Sequence, residues 1–152
     1  MKMETTTEDI EGQTPDGSLG PFVATLTWKT FSDPRRAWVD PEGVEHVRGQ
    51  VSTGVVAGDM EATASNDFNS DLDPGTGTGR VFGSYQFVTA DETWDGNFGG
   101  RIAHGSIGTF DGVSTRGGKL AGTFDQIGEG TYRCEWFLMG LVNGSDTAAP
   151  RG

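Results

Sequence analysis

Glycine interrupts this chain too often for long helices to form. Residues 96–130 read GNFGGRIAHGSIGTFDGVSTRGGKLAGTFDQIGEG, and most of the 25 glycines lie beyond position 75. Each glycine inside a helix costs roughly 0.5–1 kcal/mol relative to alanine. The same residue suits hairpin turns, bulges and the corners of a strongly coiled sheet. The chain is therefore expected to be all-β.

Alternation of apolar and polar residues marks eight strand candidates between the glycine turns. The first, 22–31, sets Ala24, Leu26 and Trp28 on one face. The second, 44–56, carries Val47, Val51 and Val55 at odd positions, which leaves His46 out of phase and on the surface. The third, 59–68, aligns Met60, Ala62, Ala64 and Asn66, and NSDLDPGTGTG at 69–79 reads as a loop. The fourth, 80–89, aligns Val81, Tyr85 and Phe87, and the fifth, 94–104, aligns Trp94, Phe98, Ile102 and His104. Short strands follow at 105–110 and 119–127, the latter with Leu120 and Phe124 in phase. The eighth, 131–142, places Tyr132, Cys134, Trp136 and Leu138 together, while Phe137, Met139 and Leu141 make its second face apolar too. That second face calls for a cover, either residues 20–23 or a second copy in a homodimer.

A single domain at 20–144 is expected, with an acidic, flexible tail at 1–19 and a second tail at 145–152. Eight strands joined by short turns fit one closed antiparallel barrel, which leaves no edge strand open. A two-sheet sandwich shares the strand pattern. Glycines within strands (Gly83, Gly96, Gly100, Gly122) favour the barrel, because tight coiling needs them.

Charge and cysteine usage exclude several classes. The formal charge is −11, which disfavours nucleic acid and anionic membrane as partners. One cysteine, Cys134, permits no intramolecular disulfide and no Cys-rich metal site, and reads as a small core residue. The N-terminus lacks the apolar run of a secretory signal and no stretch reaches the length of a membrane span, so a cytoplasmic protein is expected. Oxygen ligands alternate through 67–73 as in a calcium loop. However, Leu72 stands where glycine is needed and Thr78 where glutamate is needed, so a solvated acidic turn is the better reading. No metal or cofactor is expected, and no nucleotide fingerprint or Ser-His-Asp arrangement is present.

The pieces GDMEATAS at 58–65, GTGTGRVFGSYQF at 75–87, WDGNFGG at 94–100, GSIGTFDG at 105–112 and GGKLAGTF at 117–124 share one order of strands, acidic loop and glycine turns. In that order the chain resembles the small barrels related to allene oxide cyclase. That group also holds dirigent proteins, spirotetronate cyclases and a related bacterial family. The resemblance covers about half the chain. It implies an eight-stranded barrel with an apolar cavity, a homodimer or trimer, and cyclase or isomerase chemistry without a cofactor. It carries over no catalytic residue.

Side chains that share the apolar phase of a strand point into a barrel. An aromatic lumen of Trp28, Phe87, Trp94, Phe98, Phe124, Tyr132 and Trp136 is therefore expected to bind a small apolar organic molecule. Tyr85, His104 and Asn66 are its candidate catalytic groups. Two functions follow. One is a cofactor-free cyclase or isomerase that folds a polyketide- or terpenoid-like chain into a reactive shape, with these three groups polarising a carbonyl or moving a proton. The other is a lipocalin-like barrel that binds a hydrophobic molecule without chemistry.

Overall fold

The computed structural model describes residues 18–139. The tails expected at the two termini, and Leu141, lie wholly or largely outside those residues. Among the described residues nine strands follow in chain order: β1 Leu19–Phe31, β2 Arg36–Val39, β3 Glu45–Gly58, β4 Ala62–Asp73, β5 Thr78–Val88, β6 Thr93–Ala103, β7 Ser106–Ser114, β8 Lys119–Gly128 and β9 Thr131–Met139. There is no helix among the described residues.

Neighbouring strands from β3 to β9 pair antiparallel. β1 closes the ring by pairing with β9 on one side and β3 on the other. The result is an eight-stranded barrel, not a sandwich. The short β2 was not anticipated. After residues 32–35, with Pro34 in the break, it takes over beside β3 where β1 leaves, with Arg36 opposite Arg48 and Trp38 opposite His46.

Strand phase held except where a bulge intervenes. Between Val47 and Gln50, β3 has one more residue than its partner β4, and Gly49 takes φ +71°. Two residues opposing one reverses the alternation. Val47 therefore shares the inward phase of Ser70, opposite it, whereas Val51 and Val55 face out at 43% and 41% exposure. Ser52 and Val56 take the buried places instead. The Asn69 side chain accepts from the Gly49 N–H, so the bulge leaves that donor satisfied.

The loop expected at 69–79 is mostly strand. β4 runs to Asp73 and the turn is confined to residues 74–77. Its outward acids are held by cations on neighbouring strands and connections: Arg35 reaches Asp67 at 3.1 Å, and Arg48 and Arg80 reach Asp71 at 2.9 and 2.6 Å. These partners lie up to 32 residues away in sequence, so local composition alone reads as a loop.

Glycines occupy the inward phase of the coiled strands, at Gly83, Gly96, Gly100, Gly108, Gly112 and Gly122. The facing pair Gly96 and Gly112 shows the effect. A Cβ on Gly96 would stand 1.7 Å from the Asp111 carbonyl oxygen, and one on Gly112 would stand 2.4 Å from Tyr85 Oη. The side chain missing on β7 thus leaves the space that Tyr85, reaching from β5, occupies, while the one missing on β6 lets the β7 backbone come close.

Candidate functional site

The barrel is filled at one end and hollow at the other. Ala24, Val56, Ala64, Trp94, Leu120 and Trp136 pack the end bounded by the β3–β4, β5–β6 and β7–β8 turns. Toward the opposite end lies a cavity of about 200 Å³. Its wall includes Leu26, Trp28, Phe68, Val81, Phe87, Phe98, Phe110, Phe124, Tyr132 and Cys134. Phe31 also lines it, yet is 57% exposed, which places it at the mouth.

The aromatic wall is built by contacts between neighbouring strands. Phe98 meets Phe124 edge-on at 6.2 Å, Phe124 meets Tyr132 at 6.0 Å, and Phe68 stacks with Phe98 at 6.4 Å. Deeper in, Tyr85 contacts Phe87 at 4.6 Å and the edge of Phe110 at 5.9 Å. Such pairs hold rings in fixed orientations, each adding about 0.5–1.5 kcal/mol beyond burial. A hollow bounded by interlocked rings can persist, because collapse would break these contacts.

A polar row crosses this wall in register: Ser52 on β3, Asn66 on β4 and Tyr85 on β5. Asn66 Oδ1 accepts from the Ser52 N–H at 3.1 Å. Tyr85 donates its phenolic proton to the Asp111 carbonyl at 2.8 Å, and burial, the largest cause, pushes its pKa up. Burial likewise raises Tyr132, whose hydroxyl bonds Ser106, and pushes the Cys134 thiol up to about 12. All three groups are neutral at physiological pH.

Of the residues singled out from sequence, Trp28, Asn66, Tyr85, Phe87, Phe98, Phe124 and Tyr132 share the cavity wall. Trp94 and Trp136 are inside the barrel at 4% exposure each but in the packed half, beneath the cavity. His104 is not inside. β6 ends at Ala103, and His104 turns outward in the β6–β7 connection with φ +56° and an exposed side chain. The alternation of β6 stops one residue short of it. Ser52, Gln50, Phe68, Phe110 and Ser106 were not singled out. Phe68 lies in phase with Asn66 and was legible; Ser52 was hidden by the bulge.

His46, expected as a plain surface residue, belongs to an outer cluster. It stacks on Trp38 at 4.7 Å, and its ring nitrogens bond Asp71 at 2.6 Å and Asp40 at 2.8 Å. Hydrogen bonds that the ring donates to Asp40 first and Asp71 second hold its pKa above 6.5. Burial pulls Asp71 upward, but bonds from His46, Arg80 and Arg48 outweigh it and hold its carboxyl far below the usual range. Arg36 lies 4.0 Å from the Trp38 ring centre, so the cluster fastens β2 to the barrel. At the other end, Gly20 lies against Phe137, while Met139 remains 37% exposed.

No protein-family model, curated protein or solved structure matches the chain.

Proposed function

We propose that the barrel binds a compact, uncharged, largely apolar molecule in its hollow half. One observation carries this reading: a cavity of about 200 Å³ walled by interlocked aromatic rings, set above a half that is packed solid. An apolar cavity of about 150 Å³ takes up a benzene-sized guest. The hollow here therefore suits a single ring with short substituents, or the end of a longer chain that leaves past Phe31. The resemblance to barrels of the allene oxide cyclase group supports the same use of a lumen.

Binding without chemistry is favoured over cyclase or isomerase activity because, among the described residues, none of the groups in the lumen is poised to move a proton. His104 lies outside, the Tyr85 proton is committed to the Asp111 carbonyl, and Cys134 is a neutral thiol. Any rearrangement would have to rest on holding a flexible ligand in one shape, with Asn66 polarising it. The test is titration with toluene, followed by calorimetry and amide chemical shifts. Shifts are expected around Phe110, Phe124 and Cys134 and not around Trp94 or Leu120. Cys134→Leu, which adds bulk to the cavity wall, should abolish them. Toluene without effect on the unmodified chain at millimolar concentration would end the reading.

A further inference from the structure

The proposed lumen has one polar group whose orientation is fixed and whose capacity is unused. Asn66 is 9% exposed and lines the cavity. An asparagine amide can usually be turned either way. Here Oδ1 accepts from the Ser52 N–H, so Nδ2 must be the end left over. Among the described residues Nδ2 has no hydrogen-bond partner. A buried donor left unpaired is costly, and the cost is recovered when an acceptor arrives.

Nearby polar groups do not take that place. Tyr85 spends its proton on the Asp111 carbonyl, and the Gln50 amide donates to the Ser32 carbonyl at 3.0 Å. Among the described residues no Asp, Glu, Lys, Arg or His lines the cavity. An anionic ligand would leave water without gaining a countercharge, on a chain whose formal charge is already −11. A hydrocarbon would leave Nδ2 unpaired. A neutral molecule with one acceptor oxygen satisfies both conditions.

We propose that Asn66 makes the lumen selective for neutral carbonyl compounds of single-ring size, such as aryl or alicyclic ketones and aldehydes, the carbonyl oxygen accepting from Nδ2. This rests on the lumen being a ligand site, as proposed above. It names which of the apolar molecules that fit would be held.

The experiment compares acetophenone with α-methylstyrene, which replaces the carbonyl oxygen by a methylene of similar shape, and with benzoate. Affinities are read by calorimetry, with the amide shifts of the cavity wall as a second readout. The unmodified chain is expected to bind acetophenone at least tenfold more tightly than α-methylstyrene, and benzoate more weakly than either. Asn66→Leu should remove the preference and bring the two neutral probes to similar affinity. Equal affinity of the two neutral probes for the unmodified chain, the result if an ordered water already serves Nδ2, would overturn the proposal and leave the lumen as a binding site. A preference that survives Asn66→Leu, or tighter binding of benzoate, would also overturn it. Failure of all three probes to bind would remove the ligand-site reading and this inference together. The probe comparison needs no variant, so it stands even where Asn66→Leu fails to fold.

Discussion

The two halves of the barrel use the same strands and the same inward alternation, yet one is solid and the other hollow. In the solid half, each of two tryptophans sits beside a small residue on a neighbouring strand. Trp136 lies in register with Gly122, and Trp94 beside Ser114 and Phe87. Large against small interdigitates, and little space remains. In the hollow half Phe68 stacks on Phe98, and Phe98, Phe124 and Tyr132 meet edge to face around the wall. Rings that brace each other along the wall do not reach across the centre. A large side chain beside a small neighbour has room to lean inward and fill the barrel; ring braced against ring along the wall leaves it open.

The strongest test of that contrast is truncation in the solid half. Trp136→Ala, at a side chain 4% exposed, should cost roughly 3–5 kcal/mol, read as a drop in urea midpoint. A loss under about 1 kcal/mol would mean that this half is not packed as described.

Next comes Gly112→Ala, which tests whether a missing side chain makes room for Tyr85. A Cβ there would stand 2.4 Å from Tyr85 Oη, so the phenol must leave the Asp111 carbonyl or β7 must shift. The expected cost is about 1–3 kcal/mol. Gly112→Ala combined with Tyr85→Phe should recover part of it in a double-mutant cycle.

Phe98→Leu in the hollow half should cost less, about 1 kcal/mol, because one side of the ring faces empty space and forfeits few contacts. It should weaken toluene uptake nonetheless. A loss as large as that of Trp136→Ala would erase the distinction between the halves.

The smallest effect concerns the outer cluster and is read as pH dependence. His46 is raised above its ordinary 6.5, so its stabilisation is complete below about pH 6.5 and is lost as pH rises through its folded value. Asp40 and Asp71 are lowered, so theirs is present above about pH 4 and fades as pH falls toward their folded values. Stability should therefore lie on a plateau between those limits. His46→Gln should flatten the decline on the alkaline side while leaving toluene affinity unchanged, since the cluster lies on the outer face. An unaltered alkaline limb would show that the ring does not carry the charge between its two carboxylates.

Much of the barrel was legible because period-two alternation is a local property. Val81, Tyr85 and Phe87, or Phe124 and Cys134, face inward for reasons contained in their own strands. Phe68 was legible in the same way, two residues beyond Asn66. The errors fall where one residue changes the count: the extra residue at Gly49 reversed the valines of β3 and concealed Ser52, and the end of β6 at Ala103 expelled His104.

By itself the sequence determined an all-β chain, its turns and the inward phase of most strands, because glycine density and alternation act over a few residues. Only the tertiary structure decided that the ring closes through β1, that acids in a loop-like stretch form a strand, and that one half stays open. Those outcomes depend on partners distant in sequence: Arg48 and Arg80 on Asp71, the Asp111 carbonyl on Tyr85, and the Ser52 N–H on Asn66. A hydrogen bond between strands fixes which end of an amide faces a cavity. No local pattern encodes that.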